Sequence, residues 1–300
     1  MPELDDLLRA RLRRRFGAAV DPWLDDLPPV LRDLAERWQV SYDSVIQRGS
    51  MSVVLRCHGE DDRPAVLKVS PDRPRLAGEA ASLAQWRTPH VPRVIAVDGN
   101  VGALLIEAIW PGVSLEESGT IPSARAVAEL LASLHLPPTS DTPFRPLEER
   151  AEYLFESGLS NYVRRPDLDA VIPRPLYERG RRAAARLAAD RVATVVLHGD
   201  LTPANILDGG PERGLVAVDP APCLGDAAFD AIDLLLWQPE DADTFTTRAD
   251  QLAAALGVDA DRLLRWSAAF AAMNALEIAE ASDDDIDTVE VLTAFAATWT

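Results

Sequence analysis

Four polar residues in the second half of the chain have the types and spacing that phosphoryl-transfer chemistry needs. His198, Gly199 and Asp200 follow a run of β-formers, Val195 to Leu197. Asn205 follows Asp200 at the fifth position, past Pro203, and a second β-rich run, Leu215 to Val218, delivers Asp219 and Pro220. Moving a phosphoryl group takes little covalent help and much positioning, because charge on the phosphates and the incoming hydroxyl must be managed. Asp200 would accept a hydrogen bond from that hydroxyl. Asn205 would offer an amide oxygen to a magnesium ion and Asp219 would bridge the same ion to the phosphates, since hard oxygen ligands suit it. Ile206 and Leu207, the turn Asp208-Gly209-Gly210, and Leu215 to Val218 read as a hairpin that returns Asp219 to Asn205. Taken singly, each residue is an ordinary cap or strand end; in this order, with these flanks, they read as a site.

Such residues need elements to hold the phosphates opposite them, and the first hundred residues read as those elements. The period drops towards two at Tyr42 to Gln47, Met51 to His58 and Ala65 to Val69, with further strands at Val91 to Asp98 and Ala103 to Glu107. That pattern predicts a five-stranded antiparallel sheet. The turn from Arg48 to Ser52, with Gly49, Ser50 and Ser52, is small enough to lie over phosphates and lend backbone amides. Lys68 alternates with apolar neighbours on its strand and needs a partner for its ammonium; Glu79, in the helical stretch Arg75 to Arg87, is the acid expected to provide it. Leu104 to Ile109, including Glu107 and Ile109, is the segment whose backbone would meet an adenine edge. Ile109-Trp110-Pro111-Gly112 breaks the pattern, placing a boundary between lobes at 1–108 and 109–300.

Two amphipathic helices, Leu4 to Phe16 and Leu27 to Trp38 after the Pro28-Pro29 pair, precede the sheet. Arg11, Arg13, Arg14 and Arg15 lie among acids there and read as a solvated face. Beyond residue 112 the chain is mostly helical. His135, at the end of the helix that starts at Ser123, reads as a packed or capping residue. Asp226 reads as a turn and N-cap for the helix running on through Asp230 to Trp237, with a substrate contact kept open. Glu277 and Glu280, on the helix Ala260 to Ala281, are spaced to share one face.

HGDLTPANIL followed by VAVDPAPCLGDAAFD resembles the aminoglycoside phosphotransferases, and within them the branch of streptomycin 6-phosphotransferases and hydroxyurea kinases. The likeness extends through most of the chain. In that family proline usually follows the metal-binding aspartate, as in Asp219-Pro220, and a Gly/Ser-rich loop joins the first two strands over the nucleotide; one glycine stands here where protein kinases have GxGxxG. The resemblance implies an α+β, bilobal protein-kinase-like fold with a mostly helical C-lobe. It implies ATP and magnesium as cofactors, a GDxxxD segment that braces the catalytic loop, and C-terminal acids that hold a cationic acceptor, for which Glu277, Glu280 and Asp226 are the candidates. The expected activity is phosphorylation of an aminoglycoside, streptomycin first, conferring resistance; hydroxyurea, an amino sugar or another metabolite is the alternative acceptor.

Composition bounds the partners. The 300 residues are 47% hydrophobic, enough for a sizeable core, and carry a formal net charge of −18. A nucleic acid or anionic membrane partner would need a basic footprint that this balance lacks, whereas a cationic small molecule would be drawn in. The start mixes acids and bases where a signal peptide would have an apolar core, and no window suggests a membrane span. The expectation is a cytoplasmic protein, a monomer or weak homodimer. Cys57 and Cys223 lack metal-ligand spacing and read as two buried thiols.

Overall fold

The computed structural model describes residues 5–47, 51–59, 61–282 and 284–299. The chain divides into two compact units, Met1–Gly112 and Val113–Thr300.

In the first unit, α1 (Asp6–Phe16) and α2 (Asp21–Trp38) precede β1 (Ser41–Ile46), β2 (Val53–His58) and β3 (Pro64–Val69); α3 (Arg73–Trp86) then leads to β4 (Val94–Asp98) and β5 (Ala103–Glu107). The strands form one antiparallel sheet in the order β1-β2-β3-β5-β4. Asp5 caps α1 by accepting the Leu8 N–H at 2.8 Å, and Asp72 caps α3 through the Arg75 N–H at 3.1 Å. One departure from the sequence pattern is α2, which starts before Pro28-Pro29 and runs straight through them. Each interior proline costs about 3 kcal/mol. Leu24, Leu27, Leu31 and Leu34 recur across the pair and are buried against α1 and the sheet residues Val53, Leu55, Leu67 and Val69. Four buried leucines contribute about 6–12 kcal/mol, so packing decides the helix.

The second unit opens with α4 (Leu115–Ser118), α5 (Ala124–Leu134), β6 (Arg145–Pro146), α6 (Leu147–Arg164) and α7 (Arg174–Ala188). It continues with β7 (Thr194–Leu197), the hairpin β8 (Ile206–Asp208) and β9 (Leu215–Ala217), and β10 (Cys223–Asp226). The end is helical: α8 (Ile232–Leu236), α9 (Ala242–Leu256), α10 (Ala260–Ala281) and α11 (Ile286–Trp299). Strands β6, β10 and β7 form a small sheet with β10 in the middle. Helix α10 is the hub, packed by α6, α7, α8, α9 and α11. Its crossing with α7 is close because Gly180 presents no side chain: a Cβ there would stand 2.3 Å from the Ala269 carbonyl oxygen. Cys57 and Cys223 are buried free thiols, and burial pushes the Cys57 thiol up to about 11. Among the described residues no helix is long and apolar enough to cross a membrane.

Candidate active site

The loop after β7 is fixed by one carboxylate. The Asp230 oxygens accept the backbone N–H of His198 at 2.8 Å and of Gly199 at 2.9 Å, and lie 3.0 Å from His135 Nε2. Burial alone would raise the Asp230 pKa, but the His135 hydrogen bond and the neighbouring charges outweigh it and hold it below the usual carboxylate range. His198 is fully buried, and desolvation lowers its pKa, so the ring is neutral at neutral pH. Its Nε2 lies 3.1 Å from the Val218 carbonyl, which can only accept; the single ring proton is therefore on Nε2. Gly199 is required where it stands. Its φ is +75°, and a Cβ would meet the Ala221 carbonyl oxygen at 2.2 Å.

These contacts bring the loop to the strand end that carries Asp219. The Val218 N–H donates to the Asn205 carbonyl at 2.9 Å, and the Ala221 N–H to the His198 carbonyl at 2.9 Å. Asn205 donates Nδ2–H to the Asp200 carbonyl at 2.9 Å and lies 3.4 Å from Asp200 Oδ2. With the amide nitrogen so engaged, the Asn205 oxygen is the atom suited to meet a cation. Asp219 is held at φ +63°, a left-handed conformation costly for a residue with a Cβ. Among the described residues no cluster of three or more His, Cys, Asp or Glu could hold a metal. One amide oxygen and one carboxylate nevertheless fit magnesium, which keeps several waters and takes its remaining ligands from phosphate.

Beside Asp200 lies a cavity of about 130 Å³, lined by the loop, by Phe229, Asp233 and neighbours at the start of α8, and by Phe270, Met273, Asn274 and Glu277 of α10. Asn274 Nδ2 reaches Asp233 Oδ1 at 3.4 Å. Burial, reinforced by Asp200, raises the Asp233 pKa to about 6. Glu277 remains open to solvent at the cavity wall, yet the protein around it, then Asp233 and Asp200, pushes its carboxyl up to about 7. The other two acids expected to meet an acceptor are elsewhere. Glu280 pairs with Arg164 at 2.9 Å. Asp226 is buried, caps the turn through the Ala228 N–H at 3.1 Å, and takes Arg262 Nε and Trp266 Nε1 at 2.5 Å each; its carboxylate is spent on packing α10.

In the first unit, Lys68 and Glu79 meet at 2.5 Å, both buried, the lysine from β3 and the glutamate from α3. Ser52 is buried, and the adjacent Met51 carbonyl is held by the Ser70 hydroxyl at 2.6 Å. Gly49 and Ser50 lie outside the described residues. Glu107 ends β5 with its carboxylate on the Arg93 N–H at 3.1 Å. The Ala108 N–H donates to the Pro64 carbonyl, and Ile109 starts the turn in which Gly112 has φ +72°.

Residues 37–282 match the family described as aminoglycoside/hydroxyurea antibiotic resistance kinase. This chain belongs to that family. Streptomycin 6-kinase of Streptomyces glaucescens is 27% identical over 312 residues, covering 98% of this chain and 96% of that protein. Hydroxyurea phosphotransferase of Kitasatospora aureofaciens is 29% identical, covering 90% and 78%. Streptomycin 3''-kinase of Klebsiella pneumoniae is 30% identical, covering 80% and 89%. Among solved structures, choline kinase from Streptococcus pneumoniae shares the fold at a TM-score of 0.61 and 15% identity, over 92% of this chain and 100% of that one. An aminoglycoside phosphotransferase solved with ADP and hygromycin B aligns at a TM-score of 0.57 and 13% identity, over 89% and 96%.

This family member is a phosphotransferase with a kinase-like fold, and its site holds residues that the sequence pattern did not single out. Arg150 and Asn274 sit in helical stretches where nothing distinguishes them from surface polar residues. Asp233 carries only a faint signal, one acid three residues after Asp230, whereas Asp230 is the last residue of the GDxxxD segment that the resemblance expects to brace the loop.

Proposed function

We propose that the protein transfers the γ-phosphate of ATP to a hydroxyl of a cationic aminoglycoside in the cytoplasm, with streptomycin at its 6-hydroxyl the first acceptor to test. The observation that carries the cationic acceptor is the cavity beside Asp200, whose walls bear Asp233 and Glu277. A carboxylate and a guanidinium about 4 Å apart attract by roughly 4 kcal/mol at an effective dielectric near 20, before desolvation. Ligand sites for drug-sized molecules run to about 300–1,000 Å³, so this cavity suits one cationic arm and its neighbouring hydroxyl better than a whole antibiotic.

In this reading Lys68, steadied by Glu79, meets the α and β phosphates. Asn205 and Asp219 would hold magnesium, which when bound would neutralise charge on the phosphates. Asp200 accepts the acceptor hydroxyl's hydrogen bond. The acceptor oxygen bonds to the γ-phosphorus as the bond to the bridging oxygen breaks; ADP leaves, and the hydroxyl proton passes to Asp200.

A nucleotide-consumption screen over streptomycin, other aminoglycosides, amino sugars and hydroxyurea tests the reading. Streptomycin should give the highest kcat/KM, and Asp200→Asn should lower kcat by about 10²–10⁴ with the ATP KM nearly kept. A best acceptor without positive charge, or near-normal turnover by Asp200→Asn, would overturn it.

A further inference from the structure

Arg150, on the first turn of α6, touches the loop at two consecutive residues. Its Nε–H donates to the Gly199 carbonyl at 2.8 Å and an Nη2–H donates to Asp200 Oδ1 at 2.9 Å. Only 11% of its side chain is exposed, and its guanidinium lies 5.7 Å from the centre of the Tyr153 ring, three residues along the same helix. A guanidinium is a planar fork that can serve a backbone carbonyl and a carboxylate together; an ammonium on a flexible stem has no such fixed geometry. The fork therefore ties the orientation of the Asp200 side chain to the loop backbone that carries it.

The two Asp200 oxygens are thereby made unequal. Oδ1 is bound by Arg150, while Oδ2 lies 3.4 Å from Asn205 Nδ2. The charge of Arg150 also lowers the pKa of Asp233, opposing the rise that burial and Asp200 impose.

We propose that Arg150 is a positioning residue for phosphoryl transfer, binding the Gly199 carbonyl and Oδ1 of Asp200 together so that the Asp200 carboxylate is held in one orientation towards the acceptor hydroxyl. It acts through Asp200 and touches no reacting atom. This inference rests on the role given to Asp200 above.

The test is a double-variant cycle of Arg150→Gln and Asp200→Asn, with kcat and both KM values measured for the nucleotide and for streptomycin. Misplacing a reacting group by about 1 Å costs on the order of 10²-fold, so Arg150→Gln should lower kcat by about 10–100-fold and leave the ATP KM within about twofold. In the Asp200→Asn background the same change should cost less than about twofold, because the group it positions is gone. Arg150→Lys should recover only part of the loss. An equal cost in both backgrounds would mean that Arg150 merely braces α6, and would overturn the proposal. Where Asp200→Asn is too slow to measure, guanidinium ion added to Arg150→Ala decides: it should restore turnover, and no gain would count against the proposal. Wild-type kinetics in Arg150→Gln with an inactive Asp200→Asn would sink this inference alone; an active Asp200→Asn would remove the role of Asp200 itself.

Discussion

Asp230→Asn removes the charge from a carboxylate whose side chain is 0% exposed and which anchors three groups: the N–H of His198, the N–H of Gly199 and His135 Nε2. Asparagine keeps one acceptor oxygen and sets an NH₂ against a donor, so one backbone N–H loses its partner, costing about 1–3 kcal/mol. The remaining contacts fall from charge-assisted to neutral strength, roughly 1 kcal/mol each. The sum, about 3–5 kcal/mol, matches what breaking a buried charged network costs. At about 2–4 °C per kcal/mol for a unit of this size, the melting midpoint should fall by roughly 6–20 °C. Calorimetry from pH 8 towards pH 3 supplies a second check. The folded pKa of Asp230 is depressed, so its contribution is complete above the unfolded value near 3.9 and is lost as pH falls through the folded value. The gap between wild type and variant should therefore be flat from pH 8 to 5 and narrow in acid. A midpoint within about 2 °C of wild type at pH 7, or a gap that widens below pH 4, would refute this account of the loop.

Asp219→Ala should abolish turnover at any magnesium concentration, whereas Asn205→Ala should recover part of its activity in excess metal; a magnesium titration of both variants separates them. Glu277→Gln and Asp233→Asn should each raise the KM for a cationic acceptor several-fold without changing that for ATP, and Glu280→Gln, whose partner is Arg164, should not. The carboxyl groups at about 7 and about 6 lose charge as pH falls, so acceptor KM should climb between pH 8 and 5.5 for streptomycin and stay level for hydroxyurea in initial-rate assays. Asp226→Asn should lower unfolding free energy by about 2–4 kcal/mol in urea, by weakening the Arg262 and Trp266 contacts, while acceptor KM holds.

What the sequence shows of this molecule is mostly what short-range physics decides. Alternating apolar residues announce the five strands, and the turn Asp208-Gly209-Gly210 announces the hairpin joining Asn205 to Asp219. The Lys68–Glu79 contact was foreseeable because a lysine on a buried strand needs an acid. Long-range choices were less visible. Pro28-Pro29 reads as the start of a helix until the leucines on both sides are seen packing on one sheet. Glu277 and Glu280 share a helix face only loosely, since three residues fall about 60° short of a full turn; one reaches the cavity and the other reaches Arg164. Arg150 was invisible because its partners lie some fifty residues away, at Gly199 and Asp200.

Every described residue lining the cavity belongs to Val113–Thr300, whereas Lys68 and Glu79 belong to Met1–Gly112. Selection for a new acceptor can therefore work on a few side chains of α6, α8 and α10 without disturbing the lysine–glutamate pair. If the cavity takes the acceptor as proposed, small cationic compounds that fill it between Asp233 and Glu277 would compete with the acceptor and leave the lysine–glutamate pair untouched.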